Sequence, residues 1–162
     1  MLKDGYSGFR FFQAYEPQDV ANGSITGVAI DTQGYETATI VVNVGNATSG
    51  GALSAADNRH QLMLEHYNST VGVLAWSECY PSQMIHSVIG EAGAYSTLNS
   101  GIFQSIGSYT SFASRTYAVG YKGPHRLIRL RISDVGAPST YSMGAIAILG
   151  LPANWPVNAV VG

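Results

Sequence analysis

The residues best suited to metal binding lie near the middle of the chain. His60 and His66 are accompanied there by Asp57 and Glu65. Successive side chains of a β-strand point to opposite sides, so Glu65 and His66 cannot serve one shared site. The spacing also matches no zinc pattern. We predict no metal site, and we expect histidines that lie at the surface or are capped by local hydrogen bonds.

A thiol nucleophile with a general base is a second chemistry to consider. Cys79 is the one cysteine, and His86 follows it. Their spacing matches no family signature, and a lone cysteine is usually a small buried hydrophobe. Glu78 and Glu91 are the carboxylates available for glycoside hydrolysis, which needs two in one cleft. Nothing singles them out, so we predict no catalytic residue, no cofactor and no enzyme activity.

The basic residues are unevenly spread, because five of the eight fall between positions 115 and 131. Arg129 and Arg131 share one face of a predicted strand and could bind carboxylates of a neighbouring chain bidentately. Alternatively, they form a solvated strand face that protects a sheet edge from aggregation. The formal net charge of -2 argues against nucleic-acid binding.

These side chains must be positioned by strands. Residues 126–132 alternate, with Ile128, Leu130 and Ile132 on one face. Residues 37–44 alternate in the same way, and 61–67 and 117–122 are further candidate strands. Residues 143–149 are apolar on both faces, which predicts a central strand buried on both sides. The strands are separated by glycine-rich breaks, and no helical period is sustained.

The predicted fold class is therefore all-β, a single-domain antiparallel β-sandwich over residues 1–162, jelly-roll-like, with long loops and extended terminal arms. Residues 87–114 read as a long loop that is either functional or an interaction arm. The segments 1–15 and 152–162 are the expected arms. From their aromatic residues and from the arginine pair we predict an interface formed by Phe9, Phe11, Tyr15, Arg129, Arg131 and Trp155.

The composition points to extensive contact with other protein chains. Only 11% of the 162 residues are charged, while 46% are hydrophobic and 19 are glycine. So few charges suit a surface that is largely covered in an assembly. No apolar run reaches the roughly 20 residues of a membrane helix. No signal peptide follows Lys3, so synthesis in a cytosol is expected.

The order of the segments resembles that of a known family. The first segments are Ala29-Ile-Asp-Thr-Gln-Gly-Tyr-Glu36 and Ala38-Thr-Ile-Val-Val-Asn-Val-Gly45. A leucine-x-glutamate strand at 62–66 and the stretches 102–106 and 117–132 follow them. The last segment is Ala145-Ile-Ala-Ile-Leu-Gly-Leu-Pro152. In this order they are similar to small virion structural proteins of tailed bacteriophages, namely head decoration, or cement, proteins.

The resemblance implies a virion protein that decorates and stabilises the capsid from its outer surface. It would act as a symmetric homo-oligomer, with a trimer favoured over a pentamer, bound to the major capsid protein. Neither nucleic acid nor membrane is an expected partner, and no cofactor is implied. The alternative is a lectin-like head or tail appendage that stacks host glycans on loop tyrosines and Trp76. A glycan-degrading enzyme is the more distant rival.

Overall fold

The computed structural model describes residues 8–21, 23–49, 58–69, 75–86, 101–107 and 114–152. Short alternating segments form strands there, as their period of two predicts. A single turn of 3-10 helix covers Pro81–Gln83. The strands in these ranges are β1 Phe9–Val20, β2 Ile25–Thr26, β3 Ile30–Asp31, β4 Tyr35–Ser49, β5 Arg59–Asn68, β6 Ala75–Glu78, β7 Met84–His86, β8 Ile102–Gly107, β9 Arg115–Tyr121, β10 Leu127–Val135 and β11 Thr140–Pro152.

Two antiparallel sheets contain these strands. Sheet A has the order β1-β11-β4-β9-β7, and sheet B has the order β2-β10-β5-β6. In sheet B, β3 also pairs with β10, and β8 pairs with β5. The inward residues of the two sheets pack on each other and form one hydrophobic core. The predicted all-β antiparallel sandwich is confirmed.

The alternating strands bury the side chains that the pattern assigns to the core. In β10, Ile128, Leu130 and Ile132 are fully or almost fully buried, while Arg129 and Arg131 lie on the other face. In β4 the buried positions are the predicted Ala38, Ile40, Val42 and Val44. In both strands the period of two identifies the buried residues correctly, because only one face of each strand meets the opposite sheet.

Two segments differ from the sequence expectation. Residues 9–15, assigned to an N-terminal arm, form the first half of β1 and pair with β11. The segment 87–114 is not one loop, because Ile102–Gly107 is a strand hydrogen-bonded to β5. Both pairings join residues far apart in sequence, which local patterns do not reveal. Residues 1–7 and 153–162, the remainder of the two expected arms, lie outside the described residues.

The prediction that 143–149 is buried on both sides is wrong for one face. Met143, Ala145, Ala147 and Leu149 face the core, but Ile146 is 44% exposed on the outer face. β11 is central in sheet A, between β1 and β4. A sandwich covers only the inner face of each sheet, so an apolar outer face stays at the surface.

The connection between β2 and β3 ties the two sheets together. Gly27 N–H donates to the Leu130 carbonyl at 2.8 Å, and Val28 N–H donates to the Ala14 carbonyl at 2.9 Å. A Cβ atom at Gly27 would overlap the Ala14 carbonyl oxygen, so only glycine allows this close approach. Strand β1 is thereby joined to β10 of the opposite sheet. Across the described ranges, no helix is long and apolar enough to cross a membrane.

Candidate functional site

The outer face of sheet B carries a compact charged cluster. We call this surface the arginine face, made up of Gln61, Met63, Glu65, Tyr67, Trp76, Glu78, Arg129, Arg131 and Ser133. The β5–β10 register places Arg129 directly opposite Glu65. Arg129 Nε and Nη2 each lie 2.7 Å from Glu65 Oε2, and Arg131 Nη1 lies 3.1 Å from Oε1. One buried carboxylate is therefore shared by two arginines.

Aromatic packing completes the arginine face. The Arg129 guanidinium lies over the Trp76 ring, 4.2 Å from its centroid, in a cation–π contact. Trp76 also meets Tyr67 edge-on, with centroids 5.5 Å apart. The side chains of Arg129 and Arg131 are 21% and 33% exposed, against 4% for Glu65. The cluster is thus a partly buried network that holds β5, β6 and β10 together.

This geometry gives the arginine pair a partner within the chain and places it away from a sheet edge. The carboxylate expected from a neighbouring chain is supplied by Glu65 of the same chain. Strand β10 is also not an edge, since it pairs with β5 on one side and with β2 and β3 on the other. A further contact of Arg129 or Arg131 with a partner stays a prediction.

The interior contains a cluster of Cys79, His66, His125 and Tyr121. Cys79 Sγ lies 3.5 Å from His66 Nδ1, and the rings of His66 and His125 are in contact, with centroids 4.1 Å apart and planes tilted by 46°. Burial, reinforced by the charge of Glu65, raises the pKa of the Cys79 thiol to about 12. Burial also lowers the pKa of His66, and the neighbouring His125 adds to that effect. A thiol held protonated in this way is a poor nucleophile.

The histidine beside Cys79 is therefore His66, whereas the sequence pairing considered His86. His66 is on the inner face of β5, where the register with Ile128 places it. Tyr121 meets its ring edge-on, and burial raises the pKa of the Tyr121 hydroxyl to about 12. The same hydroxyl accepts a hydrogen bond from the His125 backbone N–H at 3.0 Å. The side chains of this cluster therefore pack against one another in the protein interior.

The second histidine of the sequence cluster is also internal. His60 is fully buried, with Nδ1 2.6 Å from Asp134 Oδ1 and Nε2 2.8 Å from the Ser139 carbonyl oxygen. It lies on the same inner face as His66, while Glu65 points to the outside, as predicted. No three metal-ligating side chains converge among the residues with described positions, and Asp57 lies outside them.

The outer face of sheet A has the opposite character. We call it the neutral face, and its outward residues are Phe9, Phe11, Gln13, Thr37, Thr39, Val41, Asn43, Ile85, Thr116, Ala118, Gly120, Gly144, Ile146, Ile148 and Gly150. None of these residues is charged. Phe9, Phe11 and Ile85 are 42%, 51% and 60% exposed. Exposed apolar groups that share one face mark an interaction surface more often than scattered ones do.

A groove of about 810 Å³ runs across one end of the neutral face. Its floor contains Val41, Gly144 and Ile146, and β1 forms one wall. The pairing of β1 with β11 is irregular between Gln13 and Tyr15 and again before Gln18. Such irregularities bend a strand away from the flat sheet. The irregular stretch of β1 lines the groove on one side.

The polar groups of the groove largely satisfy one another. Ser142 Oγ donates to Asp19 Oδ1 at 2.8 Å, and Thr116 Oγ1 donates to Asn43 Oδ1 at 3.3 Å. Asp19 is the charged residue among the described residues that line the groove. The groove therefore suits an uncharged, apolar occupant better than an ionic one.

The six predicted interface residues are not brought together. Phe9 and Phe11 lie on the neutral face, whereas Arg129 and Arg131 lie on the opposite side of the sandwich. Tyr15 is only 3% exposed, so its side chain is not available to a partner, and burial raises its pKa. Trp155 lies outside the described residues. Ile146 and Ile85 were missed, because only the register reveals that they share a face with the phenylalanines.

Comparison of the sequence with models of known protein families and with curated proteins gave no match. What the protein does is therefore inferred from its surfaces and from the ordered motifs of its strands.

Proposed function

We propose that the protein is a structural component of a bacteriophage virion that decorates the outer surface of the capsid and stabilises it. It binds the major capsid protein and its own copies, with a trimer favoured. The observation that carries the proposal is the neutral face, an uncharged outer sheet surface with exposed phenylalanine and isoleucine side chains.

Physical chemistry favours such a face for permanent contact. Burying apolar area stabilises an interface by about 25 cal/mol per Å². Asp19, at the edge of the groove, is the charged side chain among the described residues of this face, so association there desolvates little charge. Obligate interfaces are more apolar than the rest of a protein surface for these reasons. Many copies on one shell would multiply a modest contact energy.

The ordered strand motifs support the viral part of the proposal. They resemble those of head decoration proteins, which bind assembled capsids. The charged groups of the arginine face are largely used within the chain, as are Asp31 and Arg126, whose ion pair lowers the pKa of Asp31. Of the two outer faces, the neutral face is therefore the one whose exposed side chains are mainly apolar and do not form ion pairs.

Imaging of particles that contain the protein, by cryo-electron microscopy, tests the proposal. Density on the outer capsid surface, with the neutral face covered, is expected. Particles that lack the protein should lose resistance to heat, and equal resistance would contradict the stabilising role.

A substitution pair makes the test specific to the face. Ile146→Lys places a charge in the neutral face and should abolish capsid occupancy. Val28→Lys is the matched control, because Val28 is a 58% exposed aliphatic residue in the β2–β3 connection. Occupancy that falls equally in both variants would reject the neutral face as the contact.

The lectin-like alternative receives less support. The ring of Trp76, its proposed sugar platform, is stacked by Arg129 and flanked by Tyr67. For the glycan-degrading rival, Glu91 lies outside the described residues, so no pair with Glu78 is observed.

A further inference from the structure

The groove of the neutral face has the size and chemistry of a receptor for a short peptide segment. We infer that it receives residues 153–162 of a second copy of this chain, so that the copies of the oligomer are joined by exchanged tails. The inference deepens the proposed function and rests on its oligomeric part.

The composition of the segment matches the groove. Residues 153–162 read Ala-Asn-Trp-Pro-Val-Asn-Ala-Val-Val-Gly and contain no charged side chain. The groove is lined by apolar and uncharged polar groups apart from Asp19 at its edge. Trp155 and the three valines supply apolar area, and the two asparagines can donate to carboxylate and amide oxygens of the rim. An acidic segment would lose hydration there without gaining a cationic partner, because the described residues of the lining include no basic side chain.

The segment is long enough to cover the distance that separates Pro152 from a groove along one sheet. The chain leaves sheet A at Pro152, which pairs with Tyr35, whereas the groove floor lies at Gly144 and Ile146. Six to eight strand residues separate these points, which is roughly 20–26 Å at about 3.3 Å per residue. Ten extended residues reach up to about 33–36 Å.

The donor is assigned to a second copy because the direct path within one chain is occupied. The Phe9 side chain lies over Gly150 so closely that a Cβ there would be 2.8 Å from Phe9 Cε1. Phe11 stands next along the strand, opposite Ile148. The Phe9 ring therefore lies between the start of the tail and its own groove, whose lining begins at Phe11. A tail from a neighbouring copy does not have to cross the Phe9 ring, and repeated donation from copy to copy forms a ring when the rotation between copies closes.

The first experiment measures the mass of the assembly by light scattering at micromolar concentration. The full chain is expected to form an oligomer, and a chain that ends at Pro152 is expected to be monomeric with an unchanged circular dichroism spectrum. A monomeric full chain, or a truncated chain that keeps the oligomeric mass, would overturn the inference. Capsid binding by the truncated chain is measured separately and decides the proposed function independently.

The second experiment identifies the donor by complementation. Ile146→Lys blocks the groove but keeps the tail, whereas the truncated chain keeps the groove but lacks the tail. Each alone should be monomeric, and the mixture should form a one-to-one complex. A mixture that stays monomeric would show that the tail does not cross between copies. Val28→Lys serves as the control variant and should assemble as the unchanged chain does.

Discussion

Both outer faces of the sandwich are formed by antiparallel strands, but they differ in the number of charged side chains that they carry. On the arginine face, Glu65 is buried between two arginines and an aromatic ring lies over one of them. The neutral face has no charge apart from Asp19 at the edge of its groove, and it leaves phenylalanine and isoleucine side chains exposed. The difference shows that the low charge content of the chain is unevenly distributed. One face pairs its charged groups within the chain, and the other exposes apolar side chains.

The largest effect on stability is expected from Glu65→Gln. The substitution keeps the shape but removes the negative charge that both arginines share, and breaking a partly buried pair leaves uncompensated charge. We expect a loss of about 3 kcal/mol in the free energy of unfolding, measured by urea titration. A change below about 0.5 kcal/mol would show that the arginine face does not depend on its internal charges.

Two buried tyrosines differ in whether their hydroxyl groups are hydrogen-bonded. The Tyr141 hydroxyl donates to the Gly107 carbonyl at 3.0 Å, whereas the buried Tyr15 hydroxyl has no hydrogen-bond partner within the described part of the structure. Tyr141→Phe should therefore destabilise the fold by about 1–2 kcal/mol, and Tyr15→Phe should leave it unchanged or stabilise it by up to about 1 kcal/mol. Thermal unfolding of the two variants measures the difference. Equal losses would mean that Tyr15 is also bonded.

A smaller effect is expected from pH, through the histidine pair beneath the arginine face. The pKa of His66 is lowered from its ordinary value of 6.5 by burial and by His125. The unfolded chain therefore binds more protons, so this contribution is complete above pH 6.5 and is lost as the pH falls below it. His66→Gln should flatten the dependence of unfolding free energy on pH in that window. An unchanged slope would assign the dependence to other groups.

The smallest effect on stability is expected on the neutral face. Ile146→Lys changes an exposed side chain that lies outside the core, so the unfolding free energy should move by no more than about 0.5 kcal/mol. Chemical denaturation of the monomeric species measures it. A loss of several kcal/mol would show that the neutral face contributes to folding, and the contrast between the faces would then disappear.

The sequence predicts the buried residues correctly in strands whose side chains alternate between apolar and polar. The alternation of β4 and β10 identifies their buried residues because each strand has one covered face. The first half of β1 was misassigned to an arm because its pairing partner, β11, is over a hundred residues away. The outer face of β11 was misjudged because an apolar pattern does not tell whether a second layer covers it.

The candidate surfaces were only partly predictable for a related reason. Phe9 and Phe11 were singled out by their aromatic character, but Ile146 joins them only through the register of β1 with β11. The neutralisation of Arg129 by Glu65 likewise requires the β5–β10 register. The sequence shows the type of each residue, but which residues share a face depends on the pairing of strands that are distant in sequence.

The hydrogen bonds of Gly27 and Val28 give the sandwich a defined route for mechanical load. A force applied to β1 by a bound neighbour passes through the Ala14 carbonyl to Val28 and from the adjoining Gly27 to Leu130 of the other sheet. Both sheets therefore resist the pull together, and β1 cannot peel away without first breaking this link. In the proposed capsid role, this link would distribute the load from a bound neighbour over both sheets.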